Sequence, residues 1–310
     1  MEDSFNDQSN NALGGEQLTP YVPIDPRASL ARKLSVIFLV FSLVLSGVTS
    51  AALLSSKVDE YASEFGTDAG AFINATGIGG IEAVAINNLV QQLKAAGLWS
   101  QMKAIYPMVG GTAQSCKFNL VNPQDTDAAY RLTFAGGWTF SSSGAKPDGV
   151  AGTYAETYAT QAGAGMSTTN GHISYYSFTN SAAASEVEIG NGASGVGETN
   201  LAANFDGNFY VFYAAAGGGT ANANSSGFYI NNRAASTEGW RNGTRLINTG
   251  NGASNSANTF RLAMQNNGTT NYRNSKRGCA FSSIGLTLGS ATNFTNIVNT
   301  FCRTLARNTF

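Results

Sequence analysis

The sequence predicts a mainly β protein, in which a long hydrophobic helix and a short helical neck precede a sandwich of antiparallel strands. Most of the 36 glycines lie beyond residue 110, where they separate short runs rich in aromatic and β-branched residues. Such runs, joined by Gly and Asn turns, are typical of strands in a sandwich. Residues 34–56, by contrast, contain no charged side chain, which is typical of a buried or membrane-spanning helix.

The overall composition narrows the classes of function. Charged residues make up 12% of the 310 residues, and the formal net charge is −1. No long-range field would therefore attract nucleic acid or an acidic membrane surface, and we predict no nucleic-acid partner. The polarity comes from Ser, Thr, Asn and Gly, whose neutral groups suit turns and neutral polar ligands.

Residues 1–27 are predicted to form an extended polar arm. The segment is acidic, and Pro20, Pro23 and Pro26 recur every third residue. It carries too little apolar surface to fold alone, and the regular prolines favour a polyproline-like backbone.

Residues 28–65 are predicted to form the hydrophobic helix. At about 1.5 Å per residue, the stretch from Leu34 to Leu54 spans roughly 30 Å, the thickness of a bilayer's hydrocarbon core. A membrane anchor is one interpretation, and the basic residues on its N-terminal flank would then place the N-terminus in the cytoplasm. A cleavable signal peptide is a second, although the stretch before it is too long for the basic region of such a peptide.

The third interpretation is a helix packed among copies of itself in an oligomer. Ser42, Ser46 and Ser50 recur every fourth residue, so one stripe is small enough for helices to approach closely. The anchor and the oligomer helix both predict helix packing, and we expect a homotrimer. The residues expected to face lipid or other copies are Leu34, Phe38, Phe41, Ser42, Ser46, Gly47 and Ser50.

Residues 66–108 are predicted to form the helical neck. Apolar residues recur at helical spacing over residues 81–96, and Gly97 is placed to end this helix. A short helical turn over residues 99–102 is expected to stop before Pro107.

Residues 109–310 are predicted to form the sandwich head and to end in a helix. Because no helical pattern separates the strands, an antiparallel sandwich is favoured over a parallel α/β sheet. Apolar residues at helical spacing over residues 290–306, with Ser290 or Thr292 as a cap, predict a helix packed on the sandwich. The predicted strands are Tyr130–Phe134, His172–Phe178, Phe209–Tyr213, Gly227–Ile230, Thr244–Ile247, Thr259–Met264 and Ala280–Leu286.

Cysteine and histidine usage argues against metal and redox chemistry. Cys116, Cys279 and Cys302 are odd in number and show no zinc-binding spacing, so we predict buried free thiols. His172 is the single histidine, which leaves little material for a histidine-rich metal site or a Ser-His-Asp triad.

Two motifs suggest catalysis, but their neighbouring residues weaken that interpretation. Gly190, Gly192 and Gly195 match the dinucleotide-binding pattern GxGxxG, yet no helical pattern follows them, so we predict β-turns. Glu186 and Glu188 lie on one face of a predicted strand, as the paired carboxylates of glycosidases can. No third acidic residue follows within reach, and we expect both side chains to be solvated at an edge. We therefore predict that the protein is not an enzyme.

Four aspartates are candidates for a calcium site. The sequence has no EF-hand spacing, so distant loops would have to assemble such a site. We predict ordinary turn aspartates and no cofactor, with calcium as the alternative. The four residues are Asp125, Asp127, Asp148 and Asp206.

Glycan binding needs an exposed aromatic ring for stacking, surrounded by amide and guanidinium donors. Several side chains of these types occur in predicted turns, although each aromatic could instead belong to the core. The candidates are Trp138, Trp240, Arg241, Asn242, Tyr272 and Arg273.

Five segments of the chain carry a family resemblance: AIYPMVGG, NPQDTDAAYRL, GGWTFSSSG, HISYYSFTNS and AFSSIGLTLGSATNFTNIVNTFCRTLAR. They resemble the concanavalin A-like, laminin G-type virion proteins of tailed phages, notably those of Bacteroidetes phages. The similarity covers roughly residues 72–307. It implies a jelly-roll sandwich, a place on the virion surface as a tail or head fibre, and binding to host-surface glycans. It supplies no binding residues, and the hydrophobic helix departs from a fibre of a membrane-free virion.

Three functions are compatible with these observations. We expect a virion spike or fibre that binds host-surface glycans, contacts other virion proteins through residues 1–27, and is anchored in a viral or host membrane if residues 34–54 span one. A purely architectural protein that decorates a capsid or spike is the alternative. A glycan-cleaving enzyme is a third class, which the missing third acid disfavours.

Overall fold

The computed structural model describes residues 65–181, 184–193 and 195–307, which belong to one compact unit. The predicted arm, residues 1–27, and the hydrophobic helix, residues 28–65, lie outside the described residues apart from Phe65. Within the described ranges, no helix is both long and apolar enough to cross a membrane.

The described residues form four α-helices, two 3₁₀ turns and sixteen strands. The helices are α1 (Thr67–Thr76), α2 (Gly80–Ala95), α3 (Ala113–Cys116) and α4 (Ala291–Thr304), and the 3₁₀ turns are Trp99–Gln101 and Asp127–Ala129. The strands are β1 (Met102–Tyr106), β2 (Thr133–Ala135), β3 (Trp138–Ser141), β4 (Gly144–Pro147), β5 (Tyr154–Thr160), β6 (Gly171–Ser177), β7 (Ile189–Ala193), β8 (Val196–Phe205), β9 (Asn208–Tyr213), β10 (Ala216–Ala221), β11 (Gly227–Arg233), β12 (Thr237–Arg241), β13 (Thr244–Thr249), β14 (Thr259–Leu262), β15 (Gln265–Asn266) and β16 (Cys279–Gly285).

The strands pair into two sheets of eight strands each. Sheet I has the order β13-β12-β11-β6-β16-β4-β3, and β1 also pairs with β16. Sheet II has the order β10-β9-β8-β7-β14-β5-β2, and the short β15 pairs with β7. Neighbouring strands are antiparallel, except that β15 runs parallel to β7.

One hydrophobic core joins the two sheets face to face. Tyr175 and Tyr229 come from sheet I, while Leu201, Phe209 and Val211 come from sheet II, and all five are buried. The rings of Phe209 and Tyr229 meet across the sheets with centroids 5.0 Å apart. The prediction of a mainly β protein with two antiparallel sheets packed as a sandwich is thereby confirmed.

A second core covers the opposite face of sheet I. Helices α2 and α4 place Leu89, Phe294 and Phe301 against Phe228 and Phe281 of the sheet. The ring of Phe281 contacts those of Phe228, Phe294 and Phe301 at 5.9 to 6.1 Å between centroids. Because both faces are covered, β6, β11 and β16 are buried along their whole length.

Helix α4 confirms the predicted C-terminal helix packed on the sandwich. The Ser290 side chain caps it by accepting a hydrogen bond from the Asn293 amide, which satisfies a free N–H of the first turn. Arg307 fastens the chain after the helix, because its buried guanidinium donates to four backbone carbonyl oxygens at 2.6 to 3.0 Å. The four acceptors belong to Pro107, Met108, Ser142 and Ala280.

The structure differs from the predicted boundary between neck and head at residue 108. Helix α2 and the turn Trp99–Gln101 are confirmed, but Met102 begins β1 rather than ending a helical turn. Strand β1 pairs with β16, and α1 and α2 pack on sheet I. The helices of this segment are a layer of the sandwich, since their apolar faces need the sheet for burial.

The predicted strands are confirmed for six of the seven segments, with shifts of one to three residues at their ends. In the seventh, Tyr130 adopts a left-handed conformation after a 3₁₀ turn, and β2 begins only at Thr133. The β-turn prediction was wrong for Gly190 and Gly192, which lie in β7 and have paired strands beside them.

The three cysteines are buried free thiols, as predicted. Burial raises the pKa of Cys116 and of Cys302 to about 12, so neither forms a thiolate at neutral pH. Both side chains therefore serve packing.

Candidate functional site

The outer face of sheet II carries a cleft of about 310 Å³. Its size lies at the lower end of the roughly 300–1,000 Å³ that small-molecule sites occupy. Strands β8 and β9 supply the floor and one wall, and the loop after β15 supplies the opposite wall. The lining residues are Val187, Glu198, Asn200, Ala202, Phe205, Asp206, Asn208, Tyr210, Phe212 and Arg273.

Two aromatic rings form a platform on one side of the cleft. Tyr210 and Phe212 are on the outer face of β9, half-buried, and their rings are inclined by only 21° with centroids 6.2 Å apart. Both rings lie over β10, where Gly219 and Gly217 are their cross-strand partners. A Cβ at either glycine would overlap the ring above it. The glycines therefore allow the rings to lie flat on the sheet, and the ring of Phe205 meets that of Tyr210 nearly at a right angle, with centroids 6.1 Å apart.

The floor of the cleft is a buried carboxylate held by neutral donors. Glu198 is 2% exposed, and its Oε2 accepts hydrogen bonds from Gln265 Nε2 at 3.1 Å and Asn200 Nδ2 at 3.3 Å. Its Oε1 accepts a third from the Gly195 amide at 3.4 Å. A buried carboxylate with several donors is fixed in position, and it remains an acceptor for a ligand that donates.

Arg273 forms the wall opposite the platform. Its guanidinium lies over the rings of Phe205 and Tyr272, 5.0 and 4.8 Å from their centroids. Its Nη1 donates to Gln265 Oε1 at 2.7 Å and lies 3.9 Å from Glu198 Oε2. Stacking and hydrogen bonding together hold this long side chain in one place.

The rim of the cleft is the turn between β8 and β9. Asp206 adopts a positive φ of 49° and Gly207 one of 90°, which is the backbone of a tight hairpin turn. The exposed Asp206 carboxylate accepts a hydrogen bond from Ser185 Oγ at 3.1 Å. The Asn208 amide follows on the outer face of β9. The rim therefore offers both an acceptor and a donor.

The structure places one of the six predicted glycan-binding residues, Arg273, in the lining of the cleft. A second, Tyr272, lies beside that lining, with its ring under the Arg273 guanidinium. The indole of Trp138 packs edge-on against Phe134 near the strand edges of the sandwich and donates to the Ala135 carbonyl at 3.0 Å.

The other three predicted residues belong to sheet I and its turns. Trp240 packs against the core beneath the helices, and its Nε1 donates to Glu238 Oε2 at 3.0 Å. Arg241 donates to the Asn224 carbonyl at 3.0 Å. Asn242, with φ of 52°, forms the β12–β13 turn, and its side chain accepts from the Phe228 amide. These side chains support the sheet, and the structure does not bring them to the cleft.

The expectation that Glu186 and Glu188 are solvated at an edge was wrong. They are 6% and 0% exposed, and Arg277 Nη1 lies 3.1 Å from Glu186 Oε2 and 2.7 Å from Glu188 Oε1. Burial raises the pKa of Glu188, and the nearby Arg277 charge opposes that shift. Both carboxylates are committed to a buried ion pair, so neither reaches a ligand.

The four aspartates considered for calcium have partners of their own. Asp125 and Asp127 pair with Lys117 and Arg131 at 2.6 and 2.8 Å. Asp148 accepts hydrogen bonds from its own loop, which lower its pKa. In the part of the chain that the structure describes, no three His, Cys, Asp or Glu side chains are grouped so that they could hold a metal ion.

The platform and the floor of the cleft were not predicted from the sequence. Tyr210 and Phe212 were recognised as strand residues, and Glu198 was recognised only as part of a segment with no helical pattern. The usable signal was the Gly217–Gly219 run directly after an aromatic strand, because glycines beside rings let them lie flat on a sheet.

Comparisons with known proteins add little to this geometry. The sequence matches no protein-family model and no curated protein. Two structures of the Trypanosoma rangeli sialidase, one with sialic acid and one with 2,3-difluorosialic acid as a covalent intermediate, are similar at 14% and 10% identity. The matches cover 55% and 73% of this chain and 29% and 40% of the sialidase, with TM-scores of 0.35 and 0.34. This chain thus spans less than half of the sialidase, and a likeness this low assigns neither fold nor activity.

Proposed function

We propose that the chain is a non-catalytic display protein that binds glycans in the cleft on sheet II. The observation that carries the proposal is the flat pair of rings, Tyr210 and Phe212, beside a floor of fixed polar groups. A pyranose ring has C–H groups on its faces and hydroxyl groups around its edge. It can therefore stack on aromatic rings while its hydroxyls bond to amides and carboxylates.

The cleft is also organised before any ligand arrives. The Tyr210 and Phe212 rings lie on β10, Glu198 is held by three donors, and Arg273 is held by Gln265 and two rings. Ordering side chains on binding costs about 0.5–1.5 kcal/mol for each flexible one, so a pre-ordered site favours a weakly interacting, neutral ligand. The volume of about 310 Å³ suits one or two sugar rings at the end of a glycan.

The non-catalytic part of the proposal is supported by the state of the carboxylates. Glycosidases use two carboxyl groups on either side of the scissile bond, one of them a proton donor. The candidate pair Glu186 and Glu188 is buried against Arg277. In the cleft, Glu198 accepts three hydrogen bonds that hold its carboxylate in the floor.

The setting of this function comes from the sequence resemblance. It supports a concanavalin A-like jelly roll, a spike or fibre on a virion surface, host-surface glycans as ligands, and assembly as a homotrimer through the hydrophobic helix. Residues 1–27 would contact other virion proteins. The open face of sheet II is consistent with a display role, since it leaves the cleft accessible.

A glycan array probed with the full chain tests the proposal. We expect binding by the unaltered chain and a loss of about tenfold or more in affinity for Tyr210→Ala and Phe212→Ala, because each removes half of the platform. Trp138→Ala is the matched control, since it removes an aromatic side chain that the structure places away from the cleft.

The outcomes separate the parts of the proposal. Binding that survives both cleft variants but is lost with Trp138→Ala would move the site to the strand edges. A chain that binds no glycan would overturn the function. Release of sugar products from a bound glycan would overturn the non-catalytic assignment.

A further inference from the structure

We infer that the cleft selects neutral hexoses and rejects the corresponding uronic acids. The inference rests on the proposed glycan binding and adds the chemical class of the sugar. It follows from the charges around the cleft, from the hydrogen-bonding state of Arg273, and from the shape of the aromatic platform.

The charges that line the cleft disfavour an anion. The lining contains two carboxylates, Glu198 in the floor and Asp206 at the rim, and one guanidinium, that of Arg273. A ligand carboxylate would enter a site whose formal charge is already negative. Like charges brought together in a partly desolvated interface weaken binding strongly.

Arg273 compensates for that repulsion only in part. Paired recognition of a carboxylate uses two nitrogens of the guanidinium fork. Here Nη1 donates to Gln265 Oε1 at 2.7 Å and faces Glu198 at 3.9 Å, and the group is stacked on Phe205 and Tyr272. Part of its charge is therefore balanced within the protein, on the Nη1 side of the guanidinium that faces Gln265 and Glu198.

The acceptors in the cleft match hydroxyl donors. Glu198 and Asp206 are acceptors only, and one N–H of the Asn200 amide is already committed to Glu198. The C6 hydroxyl of a hexose can donate to a carboxylate, whereas the C6 carboxylate of a uronic acid cannot. Replacing that donor by an acceptor leaves two acceptors facing each other, which costs more than the loss of one hydrogen bond.

A cationic ligand is the opposite possibility, and the aromatic side chains that line the cleft do not form a cage for it. The aromatic cages that bind ammonium groups surround the charge with several rings. Tyr210 and Phe212 are inclined by 21° and form a flat platform, while the ring of Phe205 already contacts the Arg273 guanidinium. The free aromatic surface thus fits the apolar face of a neutral sugar ring.

Titration calorimetry of the full chain with matched disaccharides tests the inference. The probes are α-1,4-galactobiose with α-1,4-digalacturonate and β-1,4-mannobiose with β-1,4-dimannuronate, which share ring and linkage and differ at C6. The dimer of glucosamine, which is cationic, is the fifth probe. We expect one neutral probe to bind at least about tenfold more tightly than its uronate and than the glucosamine dimer. Added salt should narrow the difference in affinity between the neutral probe and its uronate, because salt screens the repulsion.

Charge variants identify the cause. The double variant Glu198→Gln, Asp206→Asn keeps the side-chain shapes, and we expect the preference for the neutral member to shrink severalfold. Asp127→Asn, which removes a carboxylate outside the cleft, is the matched control and should leave the preference unchanged.

Each outcome bears on the inference separately from the proposed function. A uronate or the glucosamine dimer that binds as tightly as the neutral sugars overturns the selectivity and leaves glycan binding in place. The selectivity is likewise overturned, and glycan binding stands, if none of the five probes binds while the glycan array shows binding. An unchanged preference in the double variant also overturns the inference, whereas a chain that binds neither probes nor array fails at the proposed function.

Discussion

The two sheets of the sandwich are built from similar aromatic strands, yet they are covered differently. Sheet I lies between the inter-sheet core and the helix layer, and β6, β11 and β16 are buried on both faces. Sheet II shares the inter-sheet core, but its β9 alternates between buried and half-buried residues. The comparison shows that the helices cover the central strands of sheet I on their outer face, whereas the outer face of β9 in sheet II stays half-exposed.

Aromatic side chains have different roles on the two sheets. Phe281 of sheet I is fully buried and contacts three other phenylalanine rings. Phe212 of sheet II is half-buried and lies flat over a glycine. The same residue type thus stabilises the fold in one sheet and presents a surface in the other.

The largest expected difference between the sheets concerns stability. Phe281→Ala should lower the free energy of unfolding by about 3–5 kcal/mol, because it leaves a cavity among three rings. Phe212→Ala should cost no more than about 1 kcal/mol, since solvent can fill the space. Denaturant unfolding followed by tryptophan fluorescence measures both. If both variants lost the same unfolding free energy, the aromatic side chains of sheets I and II would not differ in their structural role.

The covered sheet should also make the protein sensitive to acid. His172 of β6 is fully buried beside Phe294, with ring nitrogens 2.6 Å from the Leu286 carbonyl oxygen and 3.0 Å from Ser283 Oγ. Burial lowers its pKa from 6.5 to about 4. Between pH 6.5 and pH 4, the unfolded chain binds a proton at His172 that the folded chain does not. The contribution of the buried, neutral imidazole to folding stability is therefore intact above pH 6.5 and is lost as the pH falls towards 4.

The expected loss of stability from His172 over that window is about 3 kcal/mol. Unfolding free energies measured from pH 7 to 4 should follow it. His172→Gln serves as the comparison, because a side chain that does not titrate removes the contribution of this residue. A variant as steeply pH-dependent as the unaltered chain would assign the acid sensitivity to other groups.

Substitutions at the glycines of β10 should have the smallest effect on stability. They also give the sharpest test of binding by sheet II. Gly219→Ala should lift the Tyr210 ring, because the added Cβ overlaps it, and lower glycan affinity severalfold. Gly218→Ala is the matched control, since its Cβ would lie 3.4 Å from Ile247 Cγ2, away from the platform. Both should change stability by about 1 kcal/mol or less. If Gly219→Ala and Gly218→Ala bound the glycan array with equal affinity, the flat Tyr210 ring would have no role in binding.

Much of the fold could be predicted from local patterns in the sequence. Apolar spacing identified α2 and α4, Ser290 was one of two residues predicted to cap α4, and aromatic or β-branched runs identified six strands. These features depend on residues a few positions apart, so a single chain displays them directly. Tyr130 was misplaced because a 3₁₀ turn at Asp127–Ala129 interrupts an alternating pattern.

The candidate site could be predicted only in part, because long-range contacts build it. Arg273 and Tyr272 were identified by residue type, but their partners Glu198 and Phe205 are distant in sequence. The buried pair of Glu188 and Arg277 joins residues 89 positions apart, and nothing local distinguishes it from an exposed carboxylate on a strand.

By itself, the sequence determined that β9 is a strand, that its side chains alternate between two faces, and that glycines follow it. Phe209 and Val211 on one face are about as apolar as Tyr210 and Phe212 on the other, so the pattern does not tell which face is covered. The tertiary structure decided that point, because burial depends on what packs against a face, and α2 and α4 pack on sheet I instead. The open cleft is the result.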